Sequence, residues 1–171
     1  MPIWNRAEPV MEALVREVQE SCSAAVLDAT DIVYVLRVPT QKIMRITLGV
    51  GSRLPAWCTS MGRLLLGDLP DEEARARIAA STIEPFTKHT LTDADAIFAK
   101  VQQARRQGWC VVNQELEEGL ISIAAPITDR AGRMVAALNI SGQANRTSAK
   151  VMQESMLPSL LGAARQISSL L

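Results

Sequence analysis

Histidine is almost missing from this chain: His89 is the single one in 171 residues, and it sits in the polar loop EPFTKHTLTD. Cysteine is also sparse, with Cys22, Cys58 and Cys110 far apart. An odd, scattered set gives neither a disulfide framework nor the Cys-x-x-Cys spacing of a structural zinc site. With one histidine, no metal ligand set can be assembled from sequence, so neither metal nor cofactor is expected. Charge of one sign is lacking too, since Lys plus Arg and Asp plus Glu each total 18. Without a basic excess there is no electrostatic footprint for a phosphate backbone. No apolar run reaches the ~18 residues of a membrane span. The opening MPIWNRAEPV lacks the charged-then-apolar order of a secretion signal, so a cytoplasmic chain with no membrane partner is expected.

What is present is an ordinary globular composition, 48% hydrophobic and 21% charged, in a length suited to one core. From Ala7 to Cys22 apolar residues recur at three- and four-residue steps, which predicts an amphipathic helix. AAVLDATDIVYVLRV then reads as a hairpin turning at Asp28-Ala-Thr-Asp31. A strand is expected from Met44 to Val50, with Pro55 barring regular pairing just beyond. Leu64, Leu65 and Leu66 mark a short helix capped by Thr59 or Ser60 and ended by Gly67. Another helix starts at Asp71, where Glu72 and Glu73 suit the helix dipole. Thr92-Asp-Ala-Asp95 resembles a capping box ahead of AIFAKVQQARRQ, which Gly108 closes. WCVVN, LISIAAPIT and MVAALNIS follow as strands, the last two joined by a turn at Asp129-Arg-Ala-Gly132. From Ser148 the pattern is helical again, with Pro158 imposing a break or kink. The order describes an α+β domain with an antiparallel sheet flanked by helices.

GSRLPAWCTSMGRLLLG, residues 51–67, places Cys58, Thr59, Ser60 and Gly62 at the mouth of an apolar helix. A cysteine nucleophile would need a base beside Cys58, and His89 is the sole histidine available. A small cysteine hydrolase therefore stands as the alternative reading. A phosphate loop would need GxxxxGK[ST] or GxGxxG, and neither is present. The third reading is the wall of a small-molecule pocket, set against a purely structural loop. A helix N-terminus has unpaired N–H groups and a partial positive charge, so this mouth could hold a carboxylate without a full charge nearby.

The same stretch resembles the signature at the entrance of the effector-binding domain in IclR-type transcriptional regulators. GWCVVNQELEEGLISIAAPI and AGRMVAALNISGQANR stand in the order of that family, and VLDATDIVYVLRVPT precedes them as its first hairpin does. The resemblance runs from about Val10 to Leu171. LPAWCTSMGR together with NQELEEGL is most similar to the branch that regulates the β-ketoadipate route of aromatic-acid breakdown (PcaR, PcaU and PobR type). The resemblance implies a GAF/profilin-like antiparallel sheet, with a linker helix over residues 1–22 and an effector-binding domain over 23–171. It also implies an N-terminal winged helix-turn-helix domain, absent from this chain, through which alone DNA would be contacted. No catalytic role is implied, and homodimers, often paired into homotetramers, are.

Carried across by resemblance, the pocket comprises Ile43 and Ile46 on a floor strand, then Ser60 and Met61 from the signature, to which the reading of the helix mouth adds Trp57 and Thr59. Val112, Ser122, Asn139 and Ser141 form the other wall. Ser60, Ser122, Asn139 and Ser141 would supply hydrogen bonds, while Trp57, Met61 and Ile46 would enclose a carbon skeleton. Some relatives have an acidic or other polar residue where Val112 stands, a contact this chain would lack, and a small hydroxyl where Asn139 stands, so Asn139 should shrink or re-aim the pocket. Arg45 and Arg63 are further candidates for anion binding. The implied effector is a small organic acid, an aromatic or β-ketoadipate-pathway metabolite. The balanced charge predicts that this chain alone does not bind duplex DNA specifically; a sequence-specific band in a gel-shift assay would contradict it.

Overall fold

The computed structural model describes residues 2–40 and 48–171. Helix α1 (Pro2–Val18) buries Ala7, Met11 and Leu14 along one face, as the spacing predicts. It ends earlier than the periodicity suggests, because Gln19 takes a left-handed φ of 58°. Cys22 therefore lies on strand β1 (Ser21–Asp28), and the helix boundary falls at Val18 instead of Cys22. Strand β1 pairs antiparallel with β2 (Asp31–Val38), closing on Asp28 opposite Asp31 as the turn residues predict.

Strand β3 (Arg53–Pro55) corrects the reading of Pro55: it pairs with β2, Pro55 opposite Asp31. The pairing is possible because β3 is an edge strand, where a proline need not donate to the ladder. The strand expected from Met44 falls largely outside the described residues, and 48–50 are not strand.

Three helices follow, α2 (Ser60–Gly67), α3 (Asp71–Ala80) and α4 (Ala94–Gln107). The cap of α4 is Asp93, not Thr92: its carboxylate accepts from the Ala96 N–H at 2.9 Å. Gly108 ends that helix at φ 79°, a conformation glycine adopts without a side-chain clash. Strands β4 (Cys110–Asn113), β5 (Leu120–Thr128) and β6 (Met134–Gln143) come next. The chain closes with a short helix α5 (Ala149–Val151), a π turn (Met152–Met156) and α6 (Leu157–Ser168). Pro158 stands in the first turn of α6; lacking an N–H for the carbonyl four residues back, it breaks the ladder where the π turn ends.

The sheet has six strands in the order β3-β2-β1-β6-β5-β4. Alternation sorts its residues onto two faces. Cys22, Ala24, Ile121, Ile123, Leu138 and Ile140 meet α1 and α6 on one side. Ala25, Ile32, Tyr34, Ala124 and Ala137 meet α2 and α4 on the other. Every residue of α2 is buried, so this short helix is a core element and not a surface one. Its seat is tight: a Cβ on Gly62 would lie 2.2 Å from the Ala56 carbonyl oxygen and 2.4 Å from the Ala56 Cα. Gly62→Ala is expected to destabilise the domain by about 3 kcal/mol, because backbone at that distance must shift. Urea unfolding should show a lower midpoint at unchanged slope.

Candidate ligand-binding site

The mouth of α2 differs from a simply capped helix. Thr59 occupies the N-cap position, but its hydroxyl turns back and donates to the carbonyls of Pro55 (2.9 Å) and Ala56 (3.3 Å). Ser60 is the first helical residue, and its Oγ lies 2.7 Å from Ser122 Oγ on β5. Neither side chain caps, so both sequence-based capping assignments are corrected. The first-turn N–H groups of α2 have no intrahelical acceptor, which leaves the positive end of the helix at this point.

Opposite the mouth, polar residues interrupt the apolar face of β1, β5 and β6. Ser122 pairs across the strands with Ser141, and Ser23 with Asn139. The Asn139 amide oxygen accepts from the Ser23 N–H at 2.9 Å, and its nitrogen donates to Ser141 Oγ at 3.2 Å. Thr59, Ser60, Met61, Val112, Ser122, Asn139 and Ser141 thus come together around one cavity. Its volume is about 30 Å³, room for a water or a single polar group. A second, wider cavity of about 590 Å³ shares Tyr34, Leu54, Leu116, Leu120 and Ser141 with it. The two form one cleft with a narrow deep end and a broad outer end.

Trp57 is not brought to the cleft. It is buried, and its ring stacks on Phe86 with centroids 5.8 Å apart. Ile43, Ile46 and Arg45 lie outside the described residues. Arg63 is neither solvated nor in the cleft: its side chain is 1% exposed and grips Glu115 through two bonds of 2.8 and 2.7 Å. Its Nε also donates to the Trp57 carbonyl at 2.9 Å. Glu115 in turn accepts from the Leu91 N–H, and its own carbonyl accepts from the Thr90 hydroxyl at 2.6 Å. This pins the 114–119 loop that walls the outer end, where Gln114 takes a left-handed φ of 62° and accepts from the Gly119 N–H.

Sequence reasoning missed Tyr34, Arg37, Leu54, Leu116 and Leu120 as lining residues. Burial raises the Tyr34 phenol above its usual range, so it stays a hydrogen-bonding hydroxyl. Cys58 does line the deep end, but burial pushes its thiol up to about 12. The thiolate needed for nucleophilic attack is therefore disfavoured, and His89 is exposed and lines neither part of the cleft. Among the described residues, no group of His, Cys, Asp and Glu gathers as a metal site, and no helix is long and apolar enough to cross a membrane.

An antiparallel sheet with helices on both faces, and a cleft between the sheet and one buried helix, defines a GAF-like ligand-binding domain. Residues 1–169 match the description Bacterial transcriptional regulator IclR C-terminal. The chain belongs to the IclR family of transcriptional regulators. It is 41% identical over 167 residues to the Pca regulon regulatory protein of Pseudomonas putida, covering 97% of this chain and 57% of that protein. A transcriptional regulator from Rhodococcus sp. RHA1 superposes with a TM-score of 0.91 at 45% identity, covering 95% of this chain and 65% of that one. The inducer-binding domain of the PobR transcription factor from Acinetobacter, a double mutant complexed with 3-hydroxybenzoic acid, superposes with a TM-score of 0.90 at 29% identity, covering 98% of each chain.

The buried pair yields a stability prediction. Glu115→Gln leaves the Arg63 guanidinium buried without its counter-charge and should cost about 3–5 kcal/mol in urea unfolding. An Arg63→Met, Glu115→Leu double variant, with no charge left to strand, should recover most of that loss.

Proposed function

We propose that this chain is the effector-sensing part of an IclR-type regulator, and that the cleft between α2 and the sheet takes a small organic acid. The observation that carries the reading is the shape and chemistry of that cleft. Its narrow end offers the α2 N-terminus with the hydroxyls and amide of Ser60, Ser122, Asn139 and Ser141. Its wide end is large enough for a ring or a short chain. The relatives support the choice of ligand class, since the PobR domain holds an aromatic acid, and an aromatic or β-ketoadipate-pathway metabolite fits both ends. DNA would be bound by a winged helix-turn-helix domain joined through α1, in a homodimer or homotetramer. A ligand can move such a regulator only by its difference in affinity between the two states. We read the domain as non-catalytic: burial, which raises the Cys58 thiol above its ordinary range, lends the hydrolase alternative no support.

A thermal-shift screen of aromatic and dicarboxylic acids tests the reading. A ligand at 100 times its Kd stabilises the folded state by about 2.7 kcal/mol, and a panel in which no acid raises the Tm would reject it. Ser60→Ala should weaken the acid that binds by about 0.5–1.5 kcal/mol, the net worth of one hydrogen bond. Titration calorimetry measures that loss, and unchanged affinity would remove Ser60 from the site.

A further inference from the structure

The outer end of the cleft contains a cation that strand alternation conceals. In a regular strand, residues three apart point to opposite faces, so Tyr34 and Arg37 should be separated by the sheet. The register shows otherwise: Ala25 faces Tyr34, Ala24 faces Leu36 and Ser23 faces Arg37. Val35 is one residue too many, a β-bulge, and past it the side chains of β2 exchange faces. Ser23 and Ala25 are two apart on β1 and share a face, so their partners Arg37 and Tyr34 share it too. Both line the outer cavity. The Arg37 Nη1 donates to Ser23 Oγ at 3.1 Å, and the Ser23 backbone is held by Asn139. The guanidinium is thereby tied to the floor of the deep end.

We propose that Arg37 anchors the acid group of the effector at the outer end of the cleft, while the other polar end of the ligand meets Ser60, Ser122, Asn139 and Ser141. This assignment rests on the ligand-sensing reading above, and it departs from a carboxylate seated at the mouth of α2. Among the described residues lining either part of the cleft, Arg37 is the sole Lys, Arg or His. Arg63, the natural rival on α2, lines neither part of the cleft. A guanidinium offers a planar fork that matches a carboxylate. The deep end offers neutral hydroxyls and an amide, which suit a hydroxyl or carbonyl better than a desolvated charge. Glu117 and Glu118 line the loop side of the outer cavity. Their charge disfavours an anion there and directs it toward β2.

Calorimetric titration of wild type, Arg37→Gln, Arg37→Lys and Ser60→Ala decides the matter. The probes are 3-hydroxybenzoate, 4-hydroxybenzoate and adipate, each beside its neutral amide. Arg37→Gln should weaken the acid that binds on the order of 10- to 100-fold, the loss of a charge-assisted contact, and leave its amide within about twofold. Arg37→Lys should restore part of the loss, keeping the charge without the fork. Ser60→Ala should weaken acid and amide alike. Equal losses of acid and amide in Arg37→Gln would make the arginine a packing residue and overturn the assignment, as would no loss. A selective loss of acid in Ser60→Ala would overturn it in favour of the α2 mouth. Thermal unfolding of each unliganded variant separates a folding defect from a binding one. Wild type that binds none of the acids would reject the ligand-sensing reading itself, and the assignment with it.

Discussion

The cleft depends on one buried interaction, the two-bond contact between Arg63 on α2 and Glu115 after β4. Taking both charges out of water is expensive, and well-packed apolar residues of the same volume often do as well or better for stability. What the pair supplies is geometry. A planar guanidinium and a planar carboxylate meet in few orientations, and each partner is itself held by backbone: Arg63 by the Trp57 carbonyl, Glu115 by the Leu91 N–H. Three regions distant in sequence are fixed against one another at a point, namely α2 with its approach, the loop before α4 and the loop after β4. The first forms the deep end of the cleft, and the last walls its outer end.

With those walls fixed, the remaining freedom lies in the sheet. The deep end is floored by serines and an asparagine that satisfy one another when no ligand is considered: Ser60 with Ser122, and Asn139 with Ser141 and the Ser23 N–H. A ligand group entering there exchanges these bonds for its own, so the net gain is modest even though each contact is well formed. On the proposed assignment, a charge-assisted contact at Arg37 would add what an exchange of neutral bonds cannot.

The elements read well from sequence where their signals are local. The β1–β2 hairpin turns at Asp28 and Asp31, and α4 runs to a glycine at φ 79°, because turn and stop chemistry sit next to the segments they govern. The α1 boundary misled because the three- and four-residue apolar period continues to Cys22, which is inward-facing on β1 for an unrelated reason. Seven of the ten pocket residues named from the sequence line the deep end. Trp57 does not, since the chain between Pro55 and Thr59 aims its ring at Phe86. Arg63 could not be placed at all without Glu115, 52 residues away. Arg37 was hidden by a single inserted residue, Val35, which reverses the face of everything after it and carries no compositional mark.

The strand opposite the bulge also joins the cleft to the α1 layer. Strand β1 has the cleft on one side, through Ser23, and the α1 and α6 layer on the other, through Cys22 and Ala24. On the proposed reading, a ligand group that displaced Arg37 or Asn139 would load Ser23, whose neighbours Cys22 and Ala24 face the α1 and α6 layer. Close-packed interiors transmit such displacements because they have no slack to absorb them. Ala7, Met11 and Leu14 of α1 are buried in the layer those residues enter. A single strand, β1, thus separates Ser23, which accepts from Arg37, from the layer in which α1 is buried.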